Sequence, residues 1–285
     1  MRDGFEAVVD VLAPRRRIAV ITGAGCSTAS GIGDYRDRQG AWKRRPPVQM
    51  QAFLDQPATR RRYWARSMRG WPVMAAARPN DAHRALAALE RDGRVHGLIT
   101  QNVDGLHQQA GHRRVLELHG ALAEVLCLGC GDRVSRASVQ RRLERDNAFV
   151  LRAAAAAAPD GDADLAEDLD LADFRVPACE RCGGVLKPDV VFYGDSVPRE
   201  RVADAADLVD NADALLVVGS SLMVFSSFRF ARRAHERGIP LVAVNEGVTR
   251  ADDRLTAKLA ADCAQALPRL AATLSGDGMQ GAAGG

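Results

Sequence analysis

Arg17-Ile18-Ala19-Val20-Ile21-Thr22 runs directly into Gly23-Ala24-Gly25-Cys26-Ser27-Thr28-Ala29-Ser30-Gly31, and this junction decides the fold. A short apolar, β-branched run reads as a strand buried on both faces. The glycines after it strip the turn of side chains, so that backbone N–H groups can close on a phosphate. Further β-type runs lie at 95–100, 115–118, 189–193, 214–218 and 241–244. Between them, helix-period segments at 82–91 and 228–237 are stopped by Gly93 and Gly238. Strands alternating with helices predict an α/β fold with a doubly wound, Rossmann-like parallel sheet.

The glycine spacing narrows the class. Gly31 comes too late to complete the dinucleotide fingerprint, and no acidic residue about 20 positions on closes a strand, which disfavours a standard dehydrogenase. Two other strand ends compensate: Val218-Gly219-Ser220-Ser221 and Val244-Asn245-Glu246-Gly247 put small or hydrogen-bonding groups at the carboxyl edge of the sheet. Three such ends together predict a nucleotide crevice.

Thr100-Gln101-Asn102-Val103-Asp104-Gly105-Leu106-His107 ends one strand in polar groups, and Glu117-Leu118-His119-Gly120 ends the next in a histidine. Just beyond stands Cys127-Leu128-Gly129-Cys130, matched later by Cys179-Glu180-Arg181-Cys182. Each pair has the spacing of a knuckle that aims two thiolates at one tetrahedral ion. Disulfides would need an oxidising compartment, and a redox dithiol would need only one pair, so zinc is the expectation. Four thiolates leave no open position, which makes the metal structural. Cys26 and Cys263 read as small buried hydrophobes, although Cys26 stands where its thiol can line a ligand pocket.

The chain has 285 residues, of which 47% are hydrophobic, enough for one large core and a satellite. No apolar run approaches the ~18 residues of a membrane span, and residues 1–17 lack the features of a secretory signal, so a cytoplasmic protein without a membrane partner is expected. The net charge of +3 does not argue for nucleic acid. The basic clusters at 15–17, 44–45 and 60–62 read as solvated surface. Residues 1–35, 79–120 and 188–270 are assigned to the nucleotide-binding domain, 36–78 to a helical module and 121–187 to a zinc module. Within the last, the alanine- and acid-rich stretch 152–170 reads as a mobile, solvated insertion, and 271–285 as a disordered tail.

Gly23-Ala24-Gly25-x-Ser27-x-x-Ser30-Gly31-Ile32-x-Asp34-Tyr35-Arg36, Gln101-Asn102-Val103-Asp104, Glu117-Leu118-His119-Gly120, the two cysteine pairs, Lys187-Pro188-Asp189-Val190-Val191-Phe192-Tyr193-Gly194 and Gly219-Ser220-Ser221-Leu222 together resemble the sirtuin family of NAD-dependent protein deacylases. Arg62-Tyr63-Trp64-Ala65-Arg66 with Gly70-Trp71-Pro72 is most similar to the class II branch, whose animal members are mitochondrial. The resemblance implies NAD as cofactor, zinc on Cys127, Cys130, Cys179 and Cys182, and acyl-lysine proteins as substrates. In sirtuins the acyl oxygen attacks the ribose carbon that bears nicotinamide, so the protein supplies position and a base but no nucleophile. His119 matches that base, and Asn102 and Asp104 match residues around the ribose and carboxamide. By the same likeness Gly23, Ala24, Gly25, Ser27, Ile32, Asp34, Tyr35, Arg36, Gln101, Gly219, Ser220, Ser221, Asn245, Glu246, Gly247 and Cys263 should meet the cofactor. The peptide should add as a strand between 191–194 (Val191, Phe192, Tyr193, Gly194) and 222–224 (including Met223).

Cys26 and Gly33 replace the aliphatic residue and the proline more usual in this family, and glycine should loosen the cofactor loop. Tyr63 and Arg66 are one helical turn apart and have the spacing that binds a distal carboxylate in sirtuins removing acidic acyl groups, which predicts a preference for carboxylated or long acyl chains. Mono-ADP-ribosyl transfer to protein is an alternative with the same cofactor. A zinc-containing nucleic-acid adaptor would leave His119 and the three strand ends unexplained.

Overall fold

A computed structural model describes residues 4–43, 47–153, 155–166 and 168–276; the basic pair Arg44-Arg45 and the tail beyond Gly276 lie outside the described residues. In chain order the elements are α1 (Gly4–Leu12), β1 (Ile18–Thr22), α2 (Met50–Asp55), α3 (Pro57–Ala76), α4 (Asp81–Arg91), β2 (Val95–Thr100), α5 (Leu106–Gln109) and β3 (Val115–Glu117). Then come β4 (Gly120–Cys127), β5 (Arg133–Ser135), α6 (Arg136–Asp146), β6 (Ala155–Ala158), β7 (Asp162–Leu165) and β8 (Leu186–Val190). The chain closes with α7 (Arg199–Asp210), β9 (Ala214–Val218), α8 (Phe225–Glu236), β10 (Leu241–Val244), β11 (Ala257–Leu259) and α9 (Cys263–Ser275).

Six strands form one parallel sheet in the order β11-β10-β9-β1-β2-β3. The alternation of β1 explains its two-sided burial. Ile18 and Val20 pack with Leu12, Leu86 and Leu270 on the face covered by α1, α4 and α9. Ala19 and Ile21 pack with Val209 and Phe230 on the face covered by α7 and α8. β1, β2, β9 and β10 run parallel and so end at one edge of the sheet, where the loops that follow them converge.

The run at 189–193, read as one more strand beside these, is placed differently. The strand formed there is β8, which starts at Leu186, ends at Val190 and pairs antiparallel with β4 in a second sheet of order β5-β4-β8. Its Pro188 lacks an N–H, and an edge strand tolerates that where a central parallel strand does not. Gly120 begins β4 at φ 88, and a side chain there would meet the Asp189 carbonyl at 2.0 Å. Only glycine lets the two strands close at the point where the second sheet leaves the first.

Within 152–170, expected to be a solvated insertion, the described residues 155–165 form a hairpin whose second strand is partly buried. β6 and β7 pair as an antiparallel hairpin around Pro159–Gly161. Asp162-Ala163-Asp164-Leu165 alternates polar and apolar residues, and Ala163 and Leu165 are buried, the latter in a cluster with Trp64, Met68 and Val125. Gly70 lets the hairpin seat on α3, since a Cβ there would stand 2.2 Å from the Asp162 carbonyl oxygen. α9 runs to Ser275, so the boundary expected at residue 271 falls inside a helix. Among the described residues, no helix is long and apolar enough to cross a membrane.

Candidate active site and metal centre

A cleft of about 1500 Å³ lies between the parallel sheet and the smaller sheet with its helices. Its floor is the junction read first in the sequence. The Gly23 N–H donates to the Val218 carbonyl at 3.1 Å, and the Gly25 N–H to the Gly219 carbonyl at 2.9 Å. Gly219 has φ 57, and a Cβ on it would meet the Cys26 nitrogen at 2.3 Å. Three glycines therefore allow two strand ends to touch and leave little side-chain bulk on the cleft side of the loop.

Most residues nominated from the sequence line this cleft. Gly23, Ala24, Gly25, Asp34, Tyr35, Arg36, Gln101 and Asn102 do so from the first two strand ends and the loop between them. Gly219, Ser220, Ser221, Asn245, Glu246, Gly247 and Cys263 do so from the other side. Tyr63, Arg66, Val191, Phe192, Tyr193, Gly194 and His119 line its remaining walls. Ser27, Ile32, Asp104 and Met223 are not among the lining residues. Ile32 is packed against Met74, Val103, Leu106 and Leu122, and Met223 covers Gly40. Ser27 donates to Asp104 at 2.7 Å, while Asp104 accepts the Leu106 N–H at 2.9 Å at the start of α5. Burial raises the Asp104 carboxyl above its ordinary range.

A polar network holds the second strand end. The Asn102 amide donates to the Gly23 carbonyl and to Ser27 Oγ, each at 3.0 Å. Gln101 donates to Ser220 Oγ at 2.6 Å and accepts from Ser227 Oγ at 2.9 Å. Both side chains are thereby fixed in one orientation.

His119 stands just past β3, where the chain leaves one sheet for the other. Its Nδ1 is 3.1 Å from the Gln101 carbonyl and its Nε2 2.8 Å from Ser226 Oγ. A carbonyl only accepts, so Nδ1 carries the proton and Nε2 keeps its lone pair, to which Ser226 donates. Burial, helped by the charge of Arg201, holds the imidazole pKa down to about 4 against the pull of the Gln101 bond. Near neutral pH the ring is an unprotonated base.

Arg66 is committed within the protein. Its Nη2 lies 2.6 Å from an Asp162 carboxylate oxygen and its Nε donates to the Ala163 carbonyl at 3.0 Å. Tyr63 sits edge-on to Phe53 at 5.4 Å and against Phe192 at 5.1 Å. The hairpin supplying Asp162 carried no motif, and so this part of the wall went unread in the sequence. Phe225, Ser226 and Arg229 on α8 also face the cleft without having been nominated; they stand in an ordinary amphipathic helix pattern.

Away from the cleft, the sulfurs of Cys127, Cys130, Cys179 and Cys182 lie within 4.8 Å of one another. Cys127 and Cys182 are 3.5 Å apart, Cys130 and Cys179 3.8 Å, close to the ~3.8 Å edge of a tetrahedron with ~2.3 Å metal–sulfur bonds. The two knuckles are built alike. Gly131 (φ 73) donates back to the Cys127 carbonyl, and Gly183 (φ 72) to that of Cys179. A Cβ on Gly184 would crowd Cys127 Sγ at 3.0 Å and Cys182 Sγ at 3.1 Å. The donor set and its spacing fit a closed structural zinc.

The Sir2 family model matches residues 23–226. NAD-dependent protein deacetylase 2 of Bradyrhizobium diazoefficiens is 58% identical over 262 residues, covering 92% of this chain and 96% of its own. An NAD-dependent protein deacetylase of Bordetella bronchiseptica is 54% identical, with 92% and 96% covered. A solved structure concerned with the mechanism and regulation of Sir2 enzymes is 31% identical, with a TM-score of 0.77 over 96% of this chain and 98% of that one. A Sir2 structure with a p53 peptide and NAD+ is similar at a TM-score of 0.73 and 31% identity, covering 92% and 95%.

Proposed function

The chain belongs to the Sir2, or sirtuin, family, and from that premise we propose that it is an NAD-dependent protein-lysine deacylase using His119 as its base. The observation that carries the reading is the His119 ring, fixed at both nitrogens with its Nε2 lone pair at the cleft wall. Gly23, Ala24, Gly25, Gly219 and Ser220 would hold the phosphates and adjoining ribose of NAD, and Asn102 and Gln101 the ribose at the reacting end. NAD, when bound, supplies an electrophilic ribose carbon with nicotinamide as its leaving group. Asn102 orients; His119 takes a proton from a ribose hydroxyl at Nε2, which Ser226 releases. Nδ1–H stays on the Gln101 carbonyl, which steadies the imidazolium as it forms. The glycine floor and the network around Gln101 preset the geometry, the main contribution of a protein that provides no nucleophile.

The acyl-lysine would enter along 191–194, in the wall opposite the cofactor floor. Because Arg66 is already neutralised by Asp162, a neutral acyl group such as acetyl fits this wall; an acidic one must first displace Asp162. Substrates are acyl-lysine proteins in the cytoplasm, and no nucleic acid or membrane partner is required. Replacing the base tests the reading. His119→Ala should lower formation of O-acyl-ADP-ribose from NAD and an acetyl-lysine peptide by about 10²–10⁴-fold while zinc content and fold are kept. An unchanged rate would remove His119 from the mechanism.

A further inference from the structure

Under the glycine-rich loop three metal-ligating side chains meet: Cys26 in the turn Ala24–Cys26, His83 on α4 and His107 on α5. The Cys26 sulfur and one ring nitrogen of each histidine lie within 4.8 Å of one another. The residues are 1%, 0% and 1% exposed, and none of them lines the cleft. The two rings stand 4.7 Å apart.

The hydrogen bonds define what each group offers. His107 Nε2 is 2.9 Å from Thr22 Oγ1, whose own proton goes to Thr100 Oγ1 at 2.8 Å. Nε2 must therefore donate, which leaves Nδ1 as a bare lone pair with no partner in the interior. His83 is held by two long contacts, its Nδ1 to the Asn80 N–H at 3.3 Å and its Nε2 to Ser27 Oγ at 3.4 Å, so it can release one at little cost. Burial keeps both imidazoles neutral and keeps the thiol protonated. Packing alone accounts for His83 as part of the helix cap. It does not account for the unpartnered, fully buried Nδ1 of His107 in a cluster that also holds a thiol and a second imidazole.

We propose that Cys26, His83 and His107 form a second metal site, separate from the four-cysteine centre and suited to monovalent copper. One thiolate and two imidazoles are the donor set that copper favours. With Cu+ the site is uncharged, as a buried position requires, whereas a divalent ion would leave one positive charge and seek a fourth ligand. On binding, the Cys26 thiol proton leaves to solvent as the metal–sulfur bond forms. His107 contributes its free Nδ1 pair, and His83 gives up one of its long contacts. No electron is transferred. The ligand atoms must draw in to edges of about 3.5 Å, and Cys26, on a loop, is the member placed to move. Occupation would tie the cofactor loop to α4 and α5.

The test is anaerobic titration of the zinc-loaded full chain with Cu+ against bicinchoninate, following zinc release in parallel, for wild type and Cys26→Ala. Wild type should take up one equivalent more than the variant without releasing zinc. X-ray absorption of the wild-type complex should show one sulfur and two nitrogen neighbours, a readout that needs no variant. Equal uptake by the two proteins, copper uptake matched by zinc loss, or an all-sulfur shell would each overturn the proposal.

Discussion

The imidazole of His119 is held at both nitrogens, and this fixes which of them can accept a proton. With a pKa of about 4 against an ordinary 6.5, the ring stays neutral far below the usual histidine range. Protonation removes the base, so activity is present above the folded pKa and is lost as pH falls through it. The acid limb of kcat/KM for NAD should therefore lie well under pH 6.5, and a limb at 6.5 or above would contradict the assigned environment. Arg66 teaches a related lesson. Its spacing with Tyr63 is plain in the sequence, but its charge is claimed by Asp162, almost a hundred positions away. Asp162→Asn should free the guanidinium and raise kcat/KM for succinyl-lysine relative to acetyl-lysine by about tenfold, worth about 1.4 kcal/mol. An unchanged ratio would show that Arg66 does not read the acyl end.

At the scale of elements, the four-cysteine module depends on its ion. The knuckles are short turns whose one large apolar residue, Leu128, is exposed, and the sheet β5-β4-β8 has three strands, so ion binding contributes directly to folding. Cys182→Ser should lose zinc and lower the thermal midpoint, with the smaller sheet losing amide protection first; zinc content and hydrogen exchange read both effects. Retained zinc and an unshifted midpoint would contradict the assignment. The parts of the fold legible in the sequence were those written in local patterns. β1, β2, β9 and β10 read as apolar runs, the glycine floor as a turn, and the cysteines as matched pairs. What escaped depended on distant partners. β8 looks like any other β-type run until β4 claims it across an interval of some 60 residues. The β6–β7 hairpin is alanine-rich, and its order comes from α3, where Gly70 leaves room for it. The site was legible to the same extent: strand-end motifs announced residues that line the cleft, while Asp162 and the α8 residues entered only through folding.

For the whole molecule, the cleft is a consequence of two sheets meeting at Gly120. The parallel sheet brings four loops to one edge, and the smaller sheet and α3 supply the opposing wall, so that two substrates can be enclosed between a rigid floor and a separate unit. His119 sits at the joint, one residue before the chain crosses, so the proposed base would stand where the two walls of the cleft meet. The measurement that tests this account most directly is the joint stoichiometry of nicotinamide release and lysine deacylation, with NAD and an acetyl-lysine peptide. One nicotinamide should appear for each acetyl group removed, with O-acetyl-ADP-ribose as the other product and release that depends on the peptide. Nicotinamide released without deacylation, or ADP-ribose found attached to protein, would contradict it.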